Sequence, residues 1–298
     1  MQNNNHWEKN IIKEFIFLSI KEHRTSRRWN IFFKLTFLVL FLSVFLIILL
    51  SQKNIEKTNS KNSNHIALIE INGIISAKEK ASSKNIITLL TEAFTNKNAK
   101  AIILKINSPG GTPVQSNTIH NYIKKLRISY PNKQIFSVIE DVGTSGAYLI
   151  STATEKIYCD PSSIVGSIGV ILNSFGFVNT IEKLGIERRI YKSGKYKAIM
   201  DPFSKKTEEE DKIIQDSLDD IHDHFINIVK KTRGSNIKNY NFEIFSGRFW
   251  TGKEALKLGI VDGFHDIQSL SSEIMETSII VDYKIDSDIL ELIKKQLF

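Results

Sequence analysis

Cysteine is nearly missing from this chain: of 298 residues, only Cys159 carries a thiol. One cysteine excludes an intrachain disulfide framework and a cysteine-rich zinc site. Its setting, the strand-like run EKIYCD, marks it as a small buried hydrophobe rather than a reactive thiol. The phosphate-cradling patterns G-x-G-x-x-G and G-x-x-x-x-G-K-[ST] are also absent, which leaves no signal for a bound dinucleotide or nucleotide. The formal net charge is +8, yet its 40 Lys and Arg residues are scattered among 32 acids with no basic-aromatic stripe. That pattern does not make a nucleic-acid groove. His222 and His224 in DDIHDH are two apart on a helix and do not share a face, so they read as solvated surface and no metal is expected. Internal repeats are absent too.

What is present begins with WNIFFKLTFLVLFLSVFLIILL, residues 29–50. From Leu35 onward the run is uncharged and long enough to span a bilayer as a helix. Lys34 can snorkel at one end, and Trp29, Phe32 and Phe33 suit an interfacial belt. The following IILLSQKN offers no small-residue cleavage site, which favours an uncleaved anchor over a signal peptide. Arg24, Arg27 and Arg28 precede the run closely. The positive-inside rule then sets residues 1–28 in the cytoplasm and everything after Leu50 outside it. Residues 51–65, SQKNIEKTNSKNSNH, are polar and read as a tether. Residues 66–298 follow as the folded domain.

Within that domain, HIALIEINGIIS reads as strand, Asn-Gly turn, strand. NIITLLTEAFTN has helical spacing, KAIILKI is a buried strand, SNTIHNYIKKLRISY is helical and KQIFSVIED is another buried strand. This alternation argues an α/β domain with parallel strands and right-handed crossovers. Later, residues 207–234 form a long amphipathic helix. Thr207 and Glu210 make its capping box, Ile214, Leu218, Ile221, Phe225 and Ile228 its apolar stripe, and Gly234 its end.

Ligands in open α/β sheets bind beyond the carboxyl ends of the strands. Two such ends stand out. KAIILKI leads into NSPGGTPV, where Gly110 and Gly111 can aim backbone N–H groups into a common pocket, as an oxyanion hole requires. IFSVIED leads into VGTSGAYLIS, where Ser145 is crowded by small residues. Two readings of Ser145 stand side by side: a tight turn, or a nucleophile on a strand-to-helix turn. A nucleophilic serine needs a base. No histidine is placed by a motif: His65 falls in the tether and His120 in a helix among polar residues. A lysine acts as base only when neutral, and burial away from water lowers its pKa. YKSGKYKAIMDPF offers Lys192, Lys195 and Lys197, a group that composition alone would leave as an exposed basic loop.

Five segments in order, INSPGG, TSGAYLIS, IVGSIGV, SGKYKAIMDPF and SGRFWTGKEALKLGIVD, resemble the signal peptide peptidase family of membrane-anchored serine–lysine proteases. The likeness covers roughly residues 65–265 and looks like the short, single-copy form. It implies the Clp protease/crotonase-like fold of repeated ββα units, preceded by one transmembrane helix. Carried over by motif, it implies Ser145 as nucleophile and Lys197 as general base. Ser167 would hold that lysine by hydrogen bonding. The N–H groups of Gly111 and Gly146 would form the oxyanion hole, with Gly110 shaping the turn. Ala147 departs from the family's usual second glycine. No cofactor or metal is implied, and Lys192 and Lys195 are left as surface.

The resemblance further implies a homo-oligomeric ring in which serine and lysine of one site come from neighbouring subunits. It implies a bacterial inner-membrane location with the catalytic domain periplasmic, and remnant signal peptides or other short hydrophobic peptides as substrates. Three other functions share parts of this pattern. One is a related Ser–Lys protease trimming a specific membrane protein, another a non-catalytic peptide-binding scaffold, and the third an acyl-CoA enzyme. The intact Ser145, Lys197 and Ser167 argue against the scaffold, and the anchor's orientation argues against the acyl-CoA enzyme.

Overall fold

The computed structural model describes residues 13–14, 16–17, 27–45, 61–237, 242–275 and 279–285. The chain divides into two compact units, Met1–Ser60 and Lys61–Phe298. In the first, helix α1 (Arg27–Phe45) has 19 residues and buries none of its apolar window. At 1.5 Å per residue it is about 28 Å long, close to the thickness of a bilayer's hydrocarbon core. Among the described residues it is the one helix long and apolar enough to cross a membrane. Residues 46–60, with the end of the expected span and most of the tether, lie outside the described residues.

The second unit is built on an eight-stranded sheet. Its elements run β1 (His65–Asn72), α2 (Ser83–Thr95), β2 (Ala99–Ser108), α3 (Pro113–Ser129), β3 (Gln134–Thr144) and α4 (Gly146–Ser151). Then come β4 (Lys156–Cys159), β5 (Ile164–Gly166), α5 (Val178–Lys183) and α6 (Glu208–Arg233). Last are β6 (Phe249–Thr251), α7 (Gly252–Leu258), β7 (Gly263–Phe264), α8 (Ile267–Ile274) and β8 (Ile280–Tyr283). The spatial order is β6-β5-β3-β2-β1-β8, with β4 also on β3 and β7 on β4. All pairings are parallel except β5 with β6. This is the α/β class expected from the alternation of elements.

The apolar strands divide their side chains by alternation. Ala67, Ile69, Ile71, Ile102, Leu104 and Ile106 join the larger core under α2, α3 and α4. Ile66, Ile103, Phe136 and Val138 join a smaller one under Leu270 of α8. The β2–β3 register advances two residues on β2 (Ile106 to Ser108) against four on β3 (Ile139 to Gly143). Extra residues on one strand bend it, and at this bulge β3 exchanges partners. Phe136–Ile139 pair with β4, and Val142–Thr144 pair with β5. The bend carries the end of β3 toward the loop after β2.

Several expectations need correcting. His65 is not in a tether: it opens β1 wholly buried, with Ser63 O at 2.7 Å and the Tyr283 hydroxyl at 3.0 Å from its ring nitrogens. The Asn-Gly turn does not fold a hairpin. Gly73 takes a positive φ of 74°, but Ile75 then makes a single parallel bridge to Gly111 instead of returning along β1. The α6 capping box is present as expected, Thr207 Oγ1 accepting from Glu210 N at 3.2 Å. Its apolar stripe is only half used. Phe225 and Val229 are buried, whereas Ile214 and Leu218 are half-buried and Ile221 is exposed. The N-terminal half of α6 therefore stands clear of the core. Gly234 ends the helix in right-handed geometry, φ −54°, not as a left-handed cap. Cys159 is buried as expected, and burial pushes its thiol up to about 12.

The C-terminal end of α6 is locked by Arg233. Its guanidinium donates to Asp262 Oδ2 at 2.8 Å, to Asp262 Oδ1 at 2.9 Å and to Gly259 O at 2.9 Å. Asp262 also accepts from Ile157 N at 2.7 Å, which ties α6 to β4. Removing one partner of a buried pair strands the other charge, at about 3–5 kcal/mol. Asp262→Ala is therefore expected to lower unfolding stability by that amount. Urea unfolding of the detergent-solubilised chain measures it, and a cost under about 1 kcal/mol would show that the pair does not lock the helix.

Candidate active site

Ser145 follows β3 directly and caps α4, with φ 51° and ψ −122°. A positive φ is rare for a residue with a Cβ and stores about 1–3 kcal/mol of strain, which persists only where the surroundings impose it. Here they do. Ser145 N–H donates to Gly166 O at 2.8 Å, and Ser145 O accepts from Leu149 N at 2.9 Å. The backbone is thus pinned on both sides of a sharp strand-to-helix turn that carries the hydroxyl outward. The bland reading of Ser145 as an ordinary tight turn does not account for this strain.

The glycines are fixed by space. A Cβ on Gly110, whose φ is +96°, would sit 2.7 Å from Gly146 N and 2.9 Å from Ser145 Cβ. A Cβ on Gly111 would run into the Ile75 carbonyl, and one on Gly146 into Ser116 Oγ. Gly111 is held by its bridge to Ile75: Ile75 N donates to Gly110 O and Thr112 N to Ile75 O, each at 2.9 Å. Those bonds occupy the Ile75 side and leave the Gly111 N–H on the side of Gly146. Gly146 N is the first amide of α4, which has no acceptor within its own helix. Neither N–H has a backbone acceptor among the described residues. Two free donors beside one hydroxyl suit a developing oxyanion.

Ser145, Gly111 and Gly146 line one cavity of about 130 Å³. Its walls are Pro113, Leu149, Val170, Ile171 and Phe225, with Ser116, Asn117 and His224 as polar contributors. Ser167 lies beside Gly166, whose carbonyl holds Ser145. It too has a positive φ, 50°, and its N–H donates to Arg248 O at 3.0 Å. Lys197 is not among the residues lining the cavity. It stands exposed in residues 171–207, where Phe175 and Tyr191 are 77% and 93% exposed and no residue is buried. The structure therefore brings Ser145, Gly110, Gly111, Gly146 and Ser167 together and leaves Lys197 apart within one chain. Lys195 is surface as expected, paired with Glu209 at 2.5 Å.

Besides His222, which is half-buried with Nε2 at 3.0 Å from Ile168 O and not solvated surface, two histidines are placed differently from their sequence reading. His224 lines the cavity instead of facing only solvent. His120 is not among polar residues on a helix surface: it is 1% exposed, and neither ring nitrogen has a hydrogen-bond partner. Burial, with smaller contributions from Lys124 and His224, lowers its pKa to about 4. No sequence signal announced either placement, because the register of α3 and α6 against the sheet is set by packing. No cluster of three metal-binding side chains occurs among the described residues.

A strained serine at a strand-to-helix turn, with two N–H groups converging beside it, can present a nucleophilic hydroxyl and stabilise an oxyanion formed next to it. The peptidase family S49 model matches residues 128–280. The chain belongs to peptidase family S49, a family of serine peptidases. Over 181 residues it is 44% identical to a protein of Brucella abortus named Na(+)/H(+) antiporter NhaA, matching 61% of this chain and 24% of that one. The chain thus spans about a quarter of the length of that relative. It is 32% identical over 236 residues to an Enterococcus faecium protein with the provisional name signal peptide peptidase SppA, covering 74% of this chain and 67% of that one. It is 30% identical over 203 residues to Protease 4 of Haemophilus influenzae, covering 67% of this chain and 32% of that one. Among solved structures, a mutant of the 1510-N membrane-bound stomatin-specific protease aligns with TM-score 0.45 and 18% identity, covering 74% of this chain and 94% of that one.

Two outcomes test the site. Gly111→Ala forces the bridge to Ile75 apart and displaces one donor, a loss worth about 10²–10³ in kcat for an oxyanion-hole donor. Hydrolysis rates with Ser145→Ala as the zero show whether that loss occurs. The buried neutral His120 has a folded-state pKa below the unfolded value near 6.5, so the unfolded state binds the extra proton. Stability is then full above about pH 6.5 and falls as pH drops toward about 4. Thermal midpoints between pH 7 and 4 should fall for the wild type and flatten in His120→Phe.

Proposed function

We propose that this chain is a membrane-anchored serine endopeptidase in which Ser145 attacks the scissile carbonyl and Lys197 of a neighbouring copy serves as base. The observation that carries the reading is the strained Ser145 between the N–H groups of Gly111 and Gly146. Lys197 removes the hydroxyl proton, the oxyanion sits between the two N–H groups, and the lysine then protonates the leaving amine. Water releases the acyl group by the same path with roles reversed. Ser167, one residue from the carbonyl that holds Ser145, accepts or donates a hydrogen bond at the incoming lysine.

The separation of Lys197 from Ser145 supports a shared site. Its segment, residues 171–207, exposes Ile171, Leu172, Phe175, Leu184, Ile186 and Tyr191. Apolar surface concentrated in this way fits a protein–protein contact, and a ring of identical copies would cover it repeatedly. Among the described residues, neither the Ser145 hydroxyl nor the Lys197 ammonium has a hydrogen-bond partner within its own chain. The apolar cavity walls suit peptides cleaved within hydrophobic stretches. A domain tethered by α1, on the outer side of a bacterial inner membrane, meets such peptides as remnant signal peptides leaving the bilayer. The relative named for signal peptide peptidase activity supports this task over a dedicated membrane-protein partner.

Mixing Ser145→Ala chains with Lys197→Ala chains tests the reading. Each alone is inactive on a fluorogenic hydrophobic peptide, and mixed oligomers recover part of the wild-type rate. Mixed assemblies that stay inactive, while both parents assemble, would rule out the shared dyad.

A further inference from the structure

We infer that His224 is a specificity-determining residue, giving the apolar side-chain pocket beside Ser145 a hydrogen-bonding end that selects tyrosine over phenylalanine before the scissile bond. This rests on the peptidase reading of the same site.

The pocket is small and one-sided in its chemistry. At about 130 Å³ it has the bulk of one side chain up to aromatic size, some four water molecules at about 30 Å³ each. Pro113, Leu149, Val170 and Phe225 wall it with carbon. A pocket of carbon alone would grade side chains by area buried. His224 breaks that pattern. It lines the pocket, yet it makes no hydrogen bond or ion pair with any described residue, so its ring nitrogens are available to a guest. Its neighbour on the other wall, Asn117, accepts from Asn121 Nδ2 at 3.3 Å through Oδ1, which leaves its own Nδ2 hydrogens free.

The two side chains come from separate elements, α6 and α3, and meet at the same cavity as the nucleophile. Both contacts are legible only after folding: Asn117 is one turn into α3, and His224 precedes the first buried residue of α6. The buried, neutral His120 lies one turn beyond Ser116 and Asn117 on α3. A phenol can donate to the imidazole of His224 or accept from Asn117. One neutral hydrogen bond distinguishes partners by roughly 3- to 10-fold, and a polar group left unpaired on closing an apolar ring over it adds to the difference.

The test uses the full chain in detergent and internally quenched peptides that are identical except for Tyr, Phe or Leu at the residue before the cleaved bond. The wild type should favour Tyr over Phe about 3- to 10-fold in kcat/KM, His224→Leu should bring the ratio to about 1, and His224→Gln should restore part of it. The same peptides are titrated by fluorescence anisotropy against Ser145→Ala and its His224→Leu double variant. Should the wild type cleave none of them while Ser145→Ala still prefers Tyr, the pocket assignment stands and the peptidase reading fails. Equal ratios in wild type and His224→Leu, or no binding of any peptide, overturn the assignment. Uniform loss of cleavage in His224→Leu, with the Tyr preference in binding unchanged, also overturns it by making His224 part of the catalytic machinery.

Discussion

Everything at this site depends on two loops approaching closer than a methyl group allows. The loop after β2 and the turn after β3 touch backbone to backbone, with Gly110 against Gly146 N and Ser145. Glycine is the only residue without a Cβ to hold them apart. The approach is driven from both sides: the β3 bulge bends its end toward the loop, and the bridge from Ile75 holds the loop in place. The strain at Ser145 is the local result. It is sustained by backbone hydrogen bonds with Gly166 and with the first turn of α4.

The strands and helices that build this frame were legible because their patterns are local. KAIILKI and KQIFSVIED can only be strands covered on both faces, and the capping box of α6 announces its start. What escaped the pattern was decided by distant contacts. Ile75 looks like the return strand of a hairpin, but its bridge to Gly111 is made 36 residues away. His65 looks like linker because polar residues precede it, yet Tyr283 buries it from the far end of the domain. The stripe on α6 counts five apolar positions and cannot tell which half of the helix meets the core.

The site divides along the same line. Ser145 and its glycines announce themselves, since small residues around a serine at a strand end have a steric reason. The pocket beside them does not, because Asn117, His224 and Phe225 are joined only by the packing of α3 and α6. Lys197 rests on its motif alone, and within one chain it stands apart from the Ser145 cavity.

Helix α6 behaves mechanically as a beam fixed at one end. Arg233 and Asp262 clamp its last turn, Val229, Phe225 and the contact of His222 Nε2 with Ile168 O at 3.0 Å seat the turns before it, and the N-terminal turns project. Its 26 residues make a rod of about 39 Å, with His224 about 14 Å from the clamp and Glu209 about 36 Å from it. Glu209 grips Lys195 and the Tyr196 hydroxyl, the residues just before Lys197. A swing that carries the free end, and with it the lysine segment, through several ångströms would shift His224 by less than half as much. The pocket beside Ser145 is mounted near the pivot and the lysine segment near the tip, so the lysine segment can move while the pocket keeps its shape.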